Sequence, residues 1–329
     1  IDYIYIIIHI IKNMGIKHLN RFLNAKCSNT SICTEQIRNF KNKTLVIDTS
    51  IYLYKFLGDD TLIEQMYVMI TMLLKYNITS IFVFDGKPPN EKKRIINDRR
   101  LAKREAEEQY NNISGLLTEI SSPEQDKMLL KMETLKKQFI RVKNDDIRNV
   151  QTMMNMFNVL YVEASGEADE LCAKLCISGL VDGCVSDDMD MFAYGCPVIM
   201  RNMNLVKQTV QCYYYKNILT DLNMEPEDLK NILICSKNDY NTNESFDLYE
   251  TLKWFNEWKK TNQEVDFKLW LHTNTKYIND YEKLLTVYDI FTLSDHIEMN
   301  IKNMLSNKNV VVEKTLLKEF LYNHGFIFV

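Results

Sequence analysis

Short apolar runs that end on an acidic residue recur along the chain from residue 44. Residues 44–47 (Thr-Leu-Val-Ile) are followed by Asp48, and residues 80–84 (Ser-Ile-Phe-Val-Phe) are followed by Asp85. An amphipathic helix pattern over about 62–76 separates the two runs. Because a helix that connects two neighbouring strands favours parallel pairing, the pattern predicts a strand, a helix and a second, parallel strand.

The same alternation continues in the middle of the chain. Apolar runs at 158–164, 181–186 and 198–203 predict three more strands, and a helix pattern over about 167–179 lies between the first two. Strands that alternate with helices are typical of an α/β fold with a doubly wound, mostly parallel sheet. Ligands of such folds bind beyond the carboxyl ends of the strands, where Asp48 and Asp85 lie, so we expect the functional site there.

Residues 87–157 form an insert that is far longer than an ordinary strand connection and is rich in helix formers. Over 87–110, eight Lys or Arg residues stand against five Asp or Glu. Lys92 and Arg99 are seven residues apart, which on a helix places them about 10 Å apart on one face, a spacing that suits successive phosphates. Taken by themselves, these residues favour a solvated helix with salt bridges to its own acidic residues.

Residues 241–329 are predicted to be mainly helical. Trp254, Phe255 and Trp258 in this region could stack on nucleic-acid bases, but their spacing is more typical of a helix face that packs on a core.

Composition gives no independent sign of a phosphate-binding protein. Forty Lys and Arg residues against 44 Asp and Glu give a formal net charge of −4. The eight cysteines include no C-x-x-C pair, which argues against zinc and favours reduced cysteines inside the cell. The apolar start of the chain is too short to span a bilayer, so no membrane partner is expected.

Acidic residues also follow the later predicted strands. Glu167 and Asp169 come after the third strand, and Asp188 and Asp190 come after the fourth. Each pair alone is explained by a helix start or a turn. Together with the acids at 48 and 85 they would crowd one edge of the sheet, which is unfavourable unless cations neutralise them. Oxygen ligands indicate Mg²⁺ or Mn²⁺, and two such ions commonly serve phosphodiester hydrolysis.

Six short motifs follow one another in a fixed order between Met14 and Tyr240. They are Met14-Gly15-Ile16, Val46-Ile47-Asp48-Thr49-Ser50, Val83-Phe84-Asp85-Gly86-Lys87-Pro88-Pro89, Glu167-Ala168-Asp169, Asp188-Met189-Asp190-Met191-Phe192 and Asp239-Tyr240. In order and spacing they resemble the flap endonuclease (XPG/FEN) family of structure-specific 5′ nucleases. The resemblance implies a PIN-like nuclease core over 14–240, with a helical arch over about 87–157 through which a 5′ flap would pass.

The resemblance also implies a site with two Mg²⁺ ions, for which Mn²⁺ would substitute. The expected ligands are seven carboxylates: Asp48, Asp85, Glu167 and Asp169 for one ion, and Asp188, Asp190 and Asp239 for the other. Asp169 stands where the family has a glutamate, so the carboxylate is kept but its reach is shorter.

Further roles are implied for residues around this site. Those expected to contact nucleic acid are Gly15, Tyr54, Lys92, Lys93, Arg99 and Arg100, and those expected to act in catalysis are Lys92, Arg99 and Asp188. Lys92 and Arg99 would hold the scissile phosphate, which replaces the salt-bridged helix face favoured above. Tyr54 would stack on the base beside the cut, and Gly15 would lie near the site.

Two regions depart from the family pattern. After Asp239 the family has a glycine-rich helix-hairpin-helix, whereas here Gly325 is the only later glycine. The helical C-terminal region 241–329 is therefore expected to have a missing or rebuilt hairpin. Residues 1–13 precede the family-like start and are expected to be an upstream or non-native extension.

The chain is expected to be a flap endonuclease or 5′–3′ exonuclease that acts on flapped or branched DNA in replication and repair. The alternative is a catalytically weak or inactive nuclease fold that binds DNA junctions as a scaffold, which the missing hairpin glycines favour. A related ribonuclease is a third possibility. We expect an intracellular monomer without a sliding-clamp peptide, in the nucleus or at a viral replication site.

Overall fold

The structure is a computed structural model that describes residues 15–116, 122–241, 246–261, 263–293 and 314–328. Residues 1–13, expected to be an extension, lie outside the described residues. The strands are β1 (Ile32–Gln36), β2 (Thr44–Asp48), β3 (Thr79–Phe84), β4 (Leu160–Glu163), β5 (Gly183–Val185), β6 (Val198–Asn204) and β7 (Thr209–Tyr214).

Helices precede, connect and follow these strands. They are α1 (Leu19–Lys26), α2 (Ser50–Gly58), α3 (Leu62–Lys75), α4 (Lys93–Leu116), α5 (Ser122–Gln138), α6 (Asn144–Met156), α7 (Ala168–Ile177), α8 (Tyr215–Leu222), α9 (Pro226–Cys235), α10 (Leu248–Lys259), α11 (Phe267–Asn274), α12 (Tyr281–Ile290) and α13 (Lys314–Asn323). Short 3₁₀ turns lie at Ile37–Phe40, Asn90–Lys92 and Met189–Phe192.

The strands of the described residues form one seven-stranded sheet in the order β1-β7-β6-β5-β2-β3-β4. Strands β6, β5, β2, β3 and β4 are parallel, whereas β7 is antiparallel to both β6 and β1. The doubly wound, mostly parallel α/β fold is thus confirmed. Strands β1 and β7 were not predicted, because they mix polar and apolar residues and pair antiparallel at one side of the sheet.

Side chains of each central strand alternate between two cores, one on each face of the sheet. Val46 and Val83 point into the first core, which α7 covers, whereas Leu45, Ile47 and Phe82 point into the second. Helices α3 and α6 pack together in the second core. Both faces are therefore buried, and the carboxyl ends of the strands are left as the place for a site.

The long insert between β3 and β4 contains two helices that pack against each other, α4 and α5. Ala106 of α4 and Met132 and Leu135 of α5 are buried. The third helix of the insert, α6, instead buries Val150 and Met153 against the body of the protein. We refer to α4 and α5 as the helix pair.

The C-terminal helices extend the two cores. Helices α10, α11 and α12 pack around α9, and Phe255 and Trp258 are buried in the first core, so the interpretation of these aromatic residues as a packed helix face was correct. Helix α13 packs against α6 through Leu317 and Leu321 on the opposite face. Within the described ranges, no helix combines the length and apolar character needed to cross a membrane.

Gly86 allows the end of β3 to approach the segment after β4. Its N–H donates to the Gly166 carbonyl at 2.8 Å, and a Cβ at this position would lie 1.9 Å from the Ala164 carbonyl oxygen. That contact involves backbone, which cannot move aside as a flexible side chain can. The glycine is therefore required by packing.

We expect Gly86→Ala to destabilise the protein by about 1–3 kcal/mol, because the added methyl group forces two backbone segments apart. Urea unfolding followed by circular dichroism measures the change. Gly115→Ala is the matched control: a Cβ there meets nothing within 4 Å, and on a helix the change should be neutral or stabilising by up to about 1 kcal/mol. Equal stabilities of the two variants would contradict the prediction.

Candidate active site

Two of the expected acidic residues lie directly at strand ends. Asp48 is the last residue of β2, and Asp85 follows β3. The Asp48 carboxylate accepts hydrogen bonds from Ser186 Oγ at 3.0 Å and from the Ser50 N–H at 3.3 Å. Because Ser186 follows β5, this bond ties the ends of two neighbouring parallel strands together.

The segment that leads into α7 brings two more carboxylates to the same edge. The N–H of Ala168 donates to Asp85 Oδ1 at 2.8 Å, next to the close contact between Gly86 and Gly166. Glu167 is the N-cap residue of α7, and Asp169 lies in its first turn. The backbone contact at Gly86 therefore positions both acids beside Asp85.

Asp188 and Asp190 form a buried pair on the turn after β5. The Asp190 N–H donates to Asp188 Oδ1 at 2.9 Å, and Asp190 is only 1% exposed. Neither carboxylate oxygen of Asp190 has a hydrogen-bond partner among the described residues. Gly15 lies against the pair with a φ of +68°, and a Cβ there would be 2.4 Å from Asp188 Oδ1.

Burial and mutual repulsion perturb these carboxyl groups. Burial, followed by the charge of Asp85, raises the pKa of Asp48 to about 8. Burial also raises the pKa of Asp169, Asp188 and Asp190, with Asp239 adding to the shift for the last two. The seven expected ligands thus form one connected group whose charges repel, and a divalent cation fits an all-oxygen set with unpartnered buried oxygens.

The carboxylates lie at the same edge of the sheet, but their side chains do not surround a common point. Among the described residues, no three His, Cys, Asp or Glu side chains form a ready-made metal cage. Lys92 lies between them instead, with Nζ 2.7 Å from Glu167 Oε1 and 3.6 Å from Asp239 Oδ2. Metal binding would therefore require this ammonium group to give up its contacts with the carboxylates.

The two basic residues singled out in the insert, Lys92 on the 3₁₀ turn before α4 and Arg99 on α4, pair with acids outside the insert. Lys92 bonds Glu167, and one Arg99 nitrogen donates to both oxygens of Asp239 at 3.0 and 2.8 Å. Burial by itself would lower the pKa of Lys92, but Asp169, Glu167 and Asp239 outweigh it and raise the pKa above its usual range. The salt-bridged helix face that the residues alone favoured is thus wrong for both side chains.

Tyr240 is a site residue for which no role was expected. Its hydroxyl donates to Glu167 Oε2 at 2.6 Å, and Lys92 Nζ lies 4.9 Å from the centre of its ring. Burial raises the pKa of this hydroxyl above its usual range, so it remains a proton donor. The only signal in the sequence was its position directly after Asp239.

The remaining residues expected to contact nucleic acid lie around the acidic group. Tyr54 on α2 is 45% exposed, and Lys103 Nζ of α4 lies 4.7 Å from its ring centre. Burial raises the pKa of Tyr54, and Asp85 contributes, so this ring lies near the acidic group. Lys93 and Arg100 are exposed on α4.

Two family models match the chain, and together they cover more than half of it. The XPG N-terminal domain matches residues 14–106, and the XPG I-region matches residues 158–239. Flap endonuclease 1 of Naegleria gruberi is 29% identical over 245 residues, and the match covers 69% of this chain and 60% of that protein. The chain thus aligns with less than two thirds of the length of this relative.

Solved structures share the fold. The catalytic core of Rad2 in complex with DNA substrate has a TM-score of 0.64 at 21% identity, over 94% of both chains. The Holliday junction-resolving enzyme GEN1, solved with product DNA and Mg²⁺, has a TM-score of 0.61 at 16% identity, over 94% of this chain and 73% of GEN1. The two family models, which cover both halves of the acidic site, show that this chain belongs to the XPG/FEN family of structure-specific 5′ nucleases.

Proposed function

We propose that this chain is a Mg²⁺-dependent nuclease that hydrolyses phosphodiester bonds of flapped or branched DNA near the junction. The observation that carries the proposal is Asp190, which is buried among other carboxylates and has two unpartnered oxygens. A buried anion of this kind is costly unless a cation binds it. Family membership supports the nuclease chemistry, and the flap endonuclease relatives support flapped DNA as the substrate.

The seven carboxylates divide into two ligand groups in this proposal. Asp48, Asp85, Glu167 and Asp169 would hold one Mg²⁺, and Asp188, Asp190 and Asp239 would hold a second, with Mn²⁺ as a substitute. Bound Mg²⁺ would neutralise charge on the phosphate oxygens and lower the pKa of the attacking water. Gly15 leaves room beside the second group, because any side chain there would strike Asp188.

Lys92 and Arg99 supply the positive charge for the phosphate. In the structure they neutralise Glu167 and Asp239, the carboxylates that the metal ions would take over. Once released, both side chains can donate charge-assisted hydrogen bonds to phosphate oxygens without leaving the site. Asp188 acts as a metal ligand, so its loss should affect chemistry more than DNA binding.

The surroundings of the site suit a single strand that enters next to a duplex. Tyr54 offers an exposed ring for stacking on a base, and Lys93 and Arg100 continue the basic surface of α4. In this proposal the helix pair lies over the entry of the 5′ strand. Residues 14–240 form the nuclease core, and 241–329 form a C-terminal region without the glycine-rich hairpin.

A junction-binding scaffold is the second candidate function. It is favoured by the segment after Asp239, which has no glycine before Gly325, so the family's glycine-rich duplex-binding hairpin would be missing or rebuilt. Such a protein would bind branched DNA and would not cut it. Cleavage and binding measured on the same substrates separate the two candidates.

We expect excess Mg²⁺ or Mn²⁺ to raise the melting temperature of the protein relative to EDTA, because metal binds only the folded carboxylate group. Asp190→Asn should lose most of this gain. Asp182→Asn is the matched control, since Asp182 carries the same charge but pairs with Lys43 at the opposite end of β5. Equal metal-dependent shifts in both variants would contradict the assigned metal site.

We expect the parent protein to cleave a labelled 5′-flap DNA in the presence of Mg²⁺. Lys92→Ala should lower kcat by about 100-fold or more, because a donor to the transition-state phosphate is lost. The exposed Lys93 provides the matched control: Lys93→Ala should raise KM and leave kcat nearly unchanged. Asp188→Asn should abolish cleavage and keep binding in a gel-shift assay.

Nicked and single-stranded DNA, with EDTA controls, complete this assay. Cleavage of none of these substrates, together with retained junction binding, would replace the nuclease by the scaffold. Equal kcat values for Lys92→Ala and Lys93→Ala would refute the assignment of the phosphate-binding residue.

A further inference from the structure

Both oxygens of the Glu167 carboxylate are held by separate donors. Lys92 Nζ bonds Oε1 at 2.7 Å, and the Tyr240 hydroxyl bonds Oε2 at 2.6 Å. A carboxylate fixed at both oxygens has little freedom to rotate. If Lys92 turns to a phosphate, the hydroxyl of Tyr240 is the donor that still holds the side chain of Glu167 in place.

The ring of Tyr240 also contacts Lys92, the other donor to Glu167. Lys92 Nζ lies 4.9 Å from the ring centre, within the range of a cation–π interaction. One tyrosine therefore contacts an expected metal ligand through its hydroxyl and an expected phosphate-binding residue through its ring.

Tyr240 is itself held rigidly by the backbone around it. The Asn238 side chain accepts from the N–H groups of Tyr240 and Asn241 at 2.9 and 2.8 Å. Its amide group lies 3.2–3.3 Å from three carbonyl oxygens near the end of α9, including that of Leu233. Asn238 thus fixes the turn that presents both Asp239 and Tyr240 to the site.

The other side of the ring is supported by the C-terminal region. Phe291, directly after α12, meets Tyr240 edge to face at 5.5 Å and 89°, and it packs against Tyr194 at 4.9 Å. Tyr194 in turn follows the turn that bears Asp190, and its N–H donates to the Asp190 carbonyl at 3.2 Å. We call Tyr194, Phe291 and Tyr240 the aromatic triad.

We propose that Tyr240 is a positioning residue for Glu167 and Lys92, and that the aromatic triad makes helix α12 a structural part of the active centre. The inference rests on the proposed nuclease function. It also assigns a role to the C-terminal region: support of the metal ligands through Phe291. Hydrogen-bond partners of metal ligands commonly change metal affinity or activity by about 10- to 100-fold when removed.

Tyr240→Phe tests the hydroxyl alone, because it keeps the ring under Lys92 and against Phe291. We expect kcat on the flap substrate to fall about 10- to 100-fold with KM changed by less than about twofold. Calorimetric titration with Mn²⁺ in the absence of DNA should show weaker binding than the parent protein. The melting temperature in EDTA should stay close to that of the parent.

Tyr214→Phe is the matched control, since the Tyr214 hydroxyl also donates to a glutamate, Glu35 on β1, at 3.3 Å. Both residues belong to the antiparallel strands β1 and β7, and neither is an expected metal ligand. We expect parent-like kcat, KM and Mn²⁺ binding. Phe291→Leu, which keeps an apolar side chain at this position, should lower kcat several-fold with the Tyr240 hydroxyl still present.

Parent-like kcat and Mn²⁺ binding in Tyr240→Phe would overturn the positioning role, and so would equal losses in Tyr214→Phe. Parent-like kcat in Phe291→Leu would remove α12 from the active centre. Failure of the proposed function is a separate result: the parent protein would then cut no substrate, whereas the Mn²⁺ titrations would still compare Tyr240→Phe with the parent.

Discussion

Buried carboxylates repel one another at one edge of the sheet, and the surrounding segments have to hold them there. Asp48, Asp169, Asp188 and Asp190 are each less than 10% exposed, and burial raises the pKa of all four. A fold can keep such a group only if cations compensate it. In the structure, Lys92 and Arg99 compensate part of the charge, whereas the two carboxylate oxygens of Asp190 have no hydrogen-bond partner among the described residues.

The parallel sheet is what makes this crowding possible. Strands β2, β3 and β5 all end at the same edge, so acids that are far apart in the chain meet there. At two glycines the backbone comes close to neighbouring segments of the site. Gly86 admits the segment with Glu167 and Asp169, and Gly15 lies where a side chain would strike the pair at 188 and 190.

The balance of charge also explains why the net charge of −4 is compatible with a nucleic-acid partner. Much of the acidic excess lies in the carboxylate group at the edge of the sheet. Lys92 and Arg99 of the insert form ion pairs with this group. In the proposed function, the same lysine and arginine bind two anions in turn, first the carboxylates and then a phosphate. Tyr240 contacts both Lys92 and Phe291, which links the C-terminal helices to the acidic site.

The five parallel strands, the acids at their ends and the ordered motifs could be predicted from the sequence, because strand periodicity and short motifs are local properties of the chain. It did not reveal β1 and β7, whose mixed polar pattern acquires meaning only through antiparallel pairing. Nor could it show that Lys92 and Arg99 bond acids 75 and 140 residues away, or that Tyr240 meets Glu167 and Phe291. Those partners depend on how distant segments pack, whereas helical spacing alone predicted salt bridges to acids on the same helix.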